Sequence, residues 1–167
     1  VMAGLAFDMQ LLNVDTACYQ LVADARSFDV VVAPNTFGDV LADVAALLLG
    51  SRGMSSSANF GDGGLAVYQT GHGAAYDLAG KDRANPVGQI LALAMLLHES
   101  FGLEQLAMQV RGAVGDALAS GWRTADIMAP GCREVGTLQL VAHIDERLRE
   151  RLQAGSTQRV ADQAIGR

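Results

Sequence analysis

Apolar positions recur at helical spacing over residues 15–25, where Ala17, Leu21 and Val22 share a face and Asp15 stands where an N-terminal cap would sit. The pattern then changes. Phe28-Asp29-Val30-Val31-Val32-Ala33 is nearly continuous and β-branched, and Pro34-Asn35 closes it. Such a run between helices predicts a strand buried on both faces. The helical period returns over 37–49 through Val40, Leu41, Val44, Leu47 and Leu48, and Gly50 marks its stop.

Residues 51–64 have no period. Ser55-Ser56-Ser57 and Gly61-Asp62-Gly63-Gly64 predict a long surface connection. Residues 65–68 read as a short strand, and Gly71-His72-Gly73-Ala74-Ala75 opens a glycine-bracketed loop running through Asp77 to Gly80. Asn85-Pro86 predicts a sharp helix start, a capping residue followed by proline in the first turn. Ile90, Leu91, Leu93, Ala94, Leu97 and Phe101 supply that helix's apolar face, and Gly102 ends it. A second helix is expected over 103–119. Thr137 opens a third, carrying Leu140, Val141, Ile144 and Leu148, and residues 151–167 read as a weakly patterned tail. The strands are too few for a complete doubly wound sheet, so the expectation is α/β with part of a sheet.

A chain of 167 residues can bury a core without disulfide or metal. Apolar residues make up 50% and charged residues only 18%, so a partner chain or a further domain is expected to cover part of the apolar surplus. Twelve basic and eighteen acidic residues give a net charge of -6, which argues against a nucleic-acid partner. Cys18 and Cys132 form no paired motif and read as small packed residues. The opening Val1-Met2-Ala3-Gly4-Leu5 lacks the basic flank of a signal peptide, and no apolar run reaches spanning length. These features point to a soluble, cytoplasmic protein with no membrane partner.

Candidate chemistry is sparse on spacing alone. Asp39 and Asp43 share one face of a predicted helix, a turn apart. A divalent cation of the Mg²⁺ or Mn²⁺ type would relieve their repulsion, with Asp15 as a possible third ligand. The spacing is common, and solvated face charges are the more frequent explanation. The loop around His72 could bring backbone N–H groups to a phosphate or a nucleotide ring, yet it is not a dinucleotide fingerprint and also suits a tight turn. His98, His143 and Trp122 read as structural.

Taken together, the segments change the picture. Val14-Asp15, the 28–32 run, Asn35-Thr36-Phe37-Gly38-Asp39-Val40-Leu41-Ala42-Asp43 and Gly50-Ser51 resemble the metal-dependent decarboxylating dehydrogenases of 2-hydroxy acids: the isopropylmalate, isocitrate and tartrate dehydrogenases. The order holds through His72-Gly73-Ala74-Ala75-Tyr76-Asp77-Leu78-Ala79-Gly80-Lys81, Ala84-Asn85-Pro86, Met95-Leu96-Leu97, Phe101-Gly102, Arg123-Thr124-Ala125-Asp126 and Gly136-Thr137.

The resemblance implies a partial isopropylmalate dehydrogenase-like α/β fold, an incomplete mixed sheet with flanking helices. It implies that Asp39 and Asp43 bind Mg²⁺ or Mn²⁺ with the substrate's hydroxyl and carboxylate, and that Asp15 reaches the same ion from the other subunit of a homodimer. It implies that His72, Gly73, Ala74, Asp77 and Asn85 bind NAD. The carboxylate of Asp77 resembles that of NAD-using members, because it can accept both ribose hydroxyls and would repel a 2′-phosphate. Residues 1–50 would belong to the central dimer-forming and metal-site domain and 51–150 to the carboxy-terminal part of the nucleotide-side domain, with 151–167 as the tail.

The implied substrate of the complete enzyme is a 2-hydroxy dicarboxylic or tricarboxylic acid. No catalytic residue is assigned here, because Lys81 is the only lysine and falls in the nucleotide loop, and the substrate-clamping arginines and the tyrosine acid of the family have no counterpart. Departures from the family pattern cluster toward the nicotinamide end. Gln69-Thr70-Gly71 stands for Glu-Pro-Val, Ala74 for serine or threonine, and Tyr76 for proline. Two readings follow. The chain is the carboxy-terminal portion of such a dehydrogenase, inactive by itself, or it is a catalytically inactive, self-associating nucleotide-binding or scaffold protein derived from the family.

Overall fold

The computed structural model describes residues 8–165, with side chains as far as residue 155. The expectation that the chain opens without a leader falls on residues 1–7, outside the described residues. The chain divides into two compact units, Val1–Leu48 and Leu49–Arg167.

The first unit pairs helix α1 (Val14–Ala23) with helix α2 (Asn35–Leu48). Ala17 of α1 and Leu41 and Ala46 of α2 are the buried apolar residues of this pair. Asn13, not Asp15, precedes the first helical residue of α1, and Ala17 N–H donates to the Asn13 carbonyl (2.8 Å). The Asp15 carboxylate accepts instead from the N–H of Thr16 (2.8 Å), inside the first turn, where its charge suits the helix dipole.

The 28–33 run departs from expectation. It bends at Asp29 and joins no sheet among the described residues, and Val30 and Val32 are 80% and 83% exposed. β-Branching favours an extended backbone, but a ladder needs neighbouring strands. Among the described residues none pairs with this run.

The second unit holds both sheets. The stretch 51–64, expected as a connection, contains strand β1 (Ser56–Phe60), which pairs antiparallel with β2 (Ala66–Thr70). Serine and asparagine are poor strand formers. Here cross-strand pairing overrides propensity: Phe60 meets the Tyr68 ring edge-on at 5.9 Å, and Gly61 N–H donates to the Leu65 carbonyl (2.8 Å). Gly63 and Gly64 turn the chain with φ of 77° and 85°.

Helix α3 (Val87–Glu99) packs against this hairpin, and the Tyr68 and Ser100 hydroxyls hydrogen-bond at 2.8 Å. Helix α4 (Glu104–Ala119) packs between α3 and α5 (Thr137–Ile165). Two short parallel strands, β3 (Trp122–Arg123) and β4 (Arg133–Glu134), lie between α4 and α5 in sequence. The result is an α/β fold with two small sheets, one antiparallel and one parallel, and flanking helices.

The core joins Val87, Ala113, Val114, Ala117, Val135, Leu140 and Ile144. Leu140 is wholly buried, as the helical pattern after Thr137 anticipates, and contributes about 2 kcal/mol by leaving water. No described helix is long and apolar enough to cross a membrane.

Candidate functional site

The acidic pair of α2 is built by the start of that helix. The Pro34 carbonyl accepts from Phe37 N–H (3.1 Å) and Gly38 N–H (2.8 Å), which closes the first turn. Asn35 then faces Asp39 one turn on, and its Nδ2 donates to Asp39 Oδ2 (3.1 Å). Asp39 and Asp43 are both exposed on α2, and Asp15 is exposed on α1. Among the described residues no group of three or more histidine, cysteine, aspartate or glutamate side chains is disposed to hold a metal ion. The chain thus offers two carboxylates on one helix, and Asp15 does not join them among the described residues. The donor set is all hard oxygen, which fits Mg²⁺ or Mn²⁺ and leaves ligands to come from elsewhere.

The loop at 71–85 is fastened at both ends. At its start, Gly71 N–H donates to the Ser55 carbonyl (3.1 Å), and a Cβ on Gly71 would lie 2.6 Å from Ser55 Oγ. His72 Nδ1 lies 2.8 Å from the Gly73 carbonyl. A carbonyl only accepts, so Nδ1 carries the hydrogen, and in the neutral ring Nε2 remains an acceptor. Ala75 adopts a left-handed conformation (φ 44°, ψ 54°), an uncommon and costly state for alanine. It leads into a single 3-10 turn, Tyr76–Leu78, that displays Asp77 to solvent.

At its far end, the loop is tied to the last helix. The backbone carbonyl of Asp82 accepts from Thr137 N–H (3.2 Å), its carboxylate from Leu138 N–H (2.9 Å), and the Ala84 carbonyl from the Thr137 hydroxyl (2.5 Å). These bonds satisfy N–H groups at the start of α5 that would otherwise be orphaned. Asn85 is half-buried. Its Oδ1 accepts from Val87 N–H (3.0 Å), as expected of a cap, and its Nδ2 donates to Asp126 Oδ2 (3.1 Å). Burial pushes the Asp126 carboxyl up, but the Ser51 hydroxyl and the Asn85 amide beside it outweigh burial and hold the group below its usual range.

The structure gathers His72, Gly73, Ala74 and Asp77 on one exposed loop and sets Asn85 at its end. Asp82 and Asp126 carry no assigned role in the sequence reading. Their partners lie 56 and 41 residues away, so no local spacing marks them. His143 stacks on Trp122 (centroids 4.3 Å apart), with Nδ1 3.3 Å from Glu146 Oε2.

Known proteins match this arrangement. The family described as isocitrate/isopropylmalate dehydrogenase matches residues 4–144. The 3-isopropylmalate dehydrogenase of Oleidesulfovibrio alaskensis is 45% identical over 141 residues, 84% of this chain and 39% of that protein. The 3-isopropylmalate dehydrogenase of Ralstonia nicotianae is 44% identical over 133 residues, 80% of this chain and 37% of that protein. The crystal structure of isocitrate dehydrogenase from Methylococcus capsulatus superposes with a TM-score of 0.75 at 39% identity, over 81% of this chain and 39% of that one. The chain therefore spans well under half the length of these relatives. The matched span runs through both the acidic pair of α2 and the fastened loop, and the chain belongs to the isocitrate/isopropylmalate dehydrogenase family.

Proposed function

We propose that the chain is the carboxy-terminal portion of an NAD-dependent, Mg²⁺- or Mn²⁺-dependent decarboxylating dehydrogenase of 2-hydroxy di- or tricarboxylic acids, of the 3-isopropylmalate dehydrogenase type. The observation that carries this reading is the family match over residues 4–144, which takes in the α2 carboxylates and the loop at 71–85 together. In this reading residues 1–50 form part of the central, dimer-forming domain and 51–150 part of the nucleotide-side domain. The exposed apolar residues of the first unit, Leu11, Val30, Val32 and Leu47 among them, support a covering second copy.

Asp39 and Asp43 would hold the cation, with Asp15 contributed across the dimer. When bound, the cation supplies Lewis-acid polarisation of the substrate's 2-hydroxyl and adjoining carboxylate. Asn35 donates to one oxygen of Asp39 and so helps to orient that carboxylate. Asp77, on its exposed turn, accepts the adenosine ribose hydroxyls and repels a 2′-phosphate. His72 offers an acceptor nitrogen to an exocyclic amine, and Asn85 offers a donor to the base. Calorimetric titration with NAD⁺ and with NADP⁺, in Mn²⁺, tests this. NAD⁺ binding without NADP⁺ binding is expected, and binding of neither overturns the nucleotide reading.

One observation favours a second reading, a catalytically inactive, self-associating nucleotide-binding or scaffold protein. Lys81, the only lysine, lies exposed in the loop, away from the α2 carboxylates in sequence. Both readings expect these 167 residues alone to produce no NADH from a 2-hydroxy diacid. Steady Mn²⁺-dependent turnover, abolished by Asp39→Asn, would overturn that expectation.

A further inference from the structure

We propose that Asp126 is the positioning residue for Asn85: its carboxylate fixes the Asn85 carboxamide so that one N–H stays directed to a nucleotide base. The proposal rests on the nucleotide reading of residues 71–85. It assigns a role to a side chain outside that loop, on the 3-10 turn Ala125–Ile127 that follows β3.

The orientation of the carboxamide follows from chemistry as well as from distance. Val87 N–H can only donate, so the group 3.0 Å from it must be the Asn85 oxygen. An ionised carboxylate can only accept, so the group 3.1 Å from Asp126 Oδ2 must be the Asn85 nitrogen. The Ser51 hydroxyl beside it also supports the ionised form of Asp126. Two of the carboxamide's valences are thus spent on the protein. One N–H remains, and it suits a ring nitrogen that accepts, such as those of adenine.

The packing requires this approach. A Cβ on Gly53 would lie 2.6 Å from the Asn85 Cβ and 3.2 Å from Asp126 Oδ2. The chain between α2 and β1 therefore passes so close to the pair that any side chain there would push the two residues apart. The tie reaches across 41 residues of sequence, from the start of α3 to the turn beyond α4. Nothing in the bond to Val87 alone fixes the Asn85 amide plane about its own axis. The second contact does so, and that preorganisation is what a loosely bound base needs.

The test is a double-mutant cycle on NAD⁺ binding by the full 167-residue chain, read by calorimetry with Mn²⁺ present. Asp126→Ala and Asn85→Ala are each expected to weaken binding about tenfold, and the double variant no more than either one, because Asp126 acts only through Asn85. Asp126→Asn keeps a carbonyl acceptor of the same shape and is expected to restore most of the affinity. A merely structural role would give losses that multiply and no such rescue.

Should Asp126→Ala fail to fold, the same cycle run with Asp126→Asn decides the matter. A loss of about threefold is expected with Asn85 present and none with Asn85→Ala. Wild-type affinity in Asp126→Ala, or losses that multiply, overturns the proposal while leaving the nucleotide reading intact. A folded wild-type chain that binds no NAD⁺ overturns both.

Discussion

Asp82 and Gly136 meet with no room for a side chain between them: a Cβ on Gly136 would lie 2.7 Å from the Asp82 carbonyl oxygen and closer still to its carboxylate. Asp82 itself stands in the left-handed region, with φ of 51°. The contact joins the loop at 71–85 to the first turn of α5, so the position of the loop and the capping of that helix are one structural fact. Gly136→Ala is expected to destabilise the protein by about 1–3 kcal/mol through overpacking, and Asp82→Ala by about 1 kcal/mol through loss of the bond from Leu138. Urea unfolding of each variant checks both values. Because the two residues touch, the double variant should cost less than the sum.

The α4–α5 contact carries a pH signature. Arg151 lies across Gly112 and donates to both oxygens of Asp116, through Nε at 2.6 Å and a terminal nitrogen at 3.1 Å. The hydrogen bond from Arg151 holds the Asp116 carboxyl below its ordinary 3.8. A lowered carboxylate stabilises the fold fully above its unfolded value, and that contribution disappears as pH falls through the folded one. Asp116→Asn should therefore lower the melting temperature at pH 6, with the gap from wild type closing steadily below pH 4. A gap that stays constant to strongly acid pH would contradict the assignment. The pair is half-exposed, so added salt should narrow the gap in part.

The acidic pair on α2 makes a separate prediction. Asn35 does not itself need to touch a cation, but its bond to Asp39 orients that carboxylate. Asn35→Ala is expected to weaken Mn²⁺ binding about tenfold, and Asp39→Asn more than that. The free Mn²⁺ signal in electron paramagnetic resonance measures both. Unchanged affinity in Asp39→Asn would assign the pair to solvated surface charge.

Cofactor preference should follow Asp77. Replacing it with serine removes the negative charge from the exposed turn while leaving a small polar side chain. The ratio of NAD⁺ to NADP⁺ affinity is expected to fall about tenfold or more, through weaker NAD⁺ binding and relief of repulsion toward a 2′-phosphate. Titration with both dinucleotides checks it.

The helices were legible because their cores are local. Leu140 and Ile144 of α5 and the capping role of Asn85 follow from spacing within a turn or two. β1 was not legible, since Ser56, Ser57 and Asn59 favour turns by themselves and become a strand only through pairing with Thr70, Gln69 and Val67. The run at 28–33 failed in the opposite direction: its composition suits an interior strand, but its composition carries no information about whether a neighbour is present. In the candidate site the same division holds. The resemblance located the loop and the α2 carboxylates, whereas Asp82 and Asp126 owe their roles to long-range contacts that no window along the chain contains.

The unpaired run at 28–33 also has a bearing on handling. Three consecutive valines, exposed and outside any sheet among the described residues, give a β-prone apolar segment that another chain can cover. Together with exposed helix residues such as Tyr19 and Leu47, this segment makes the first unit the apolar end of the polypeptide. Charged residues in place of Val30 and Val32 should therefore slow any loss of soluble protein at high concentration.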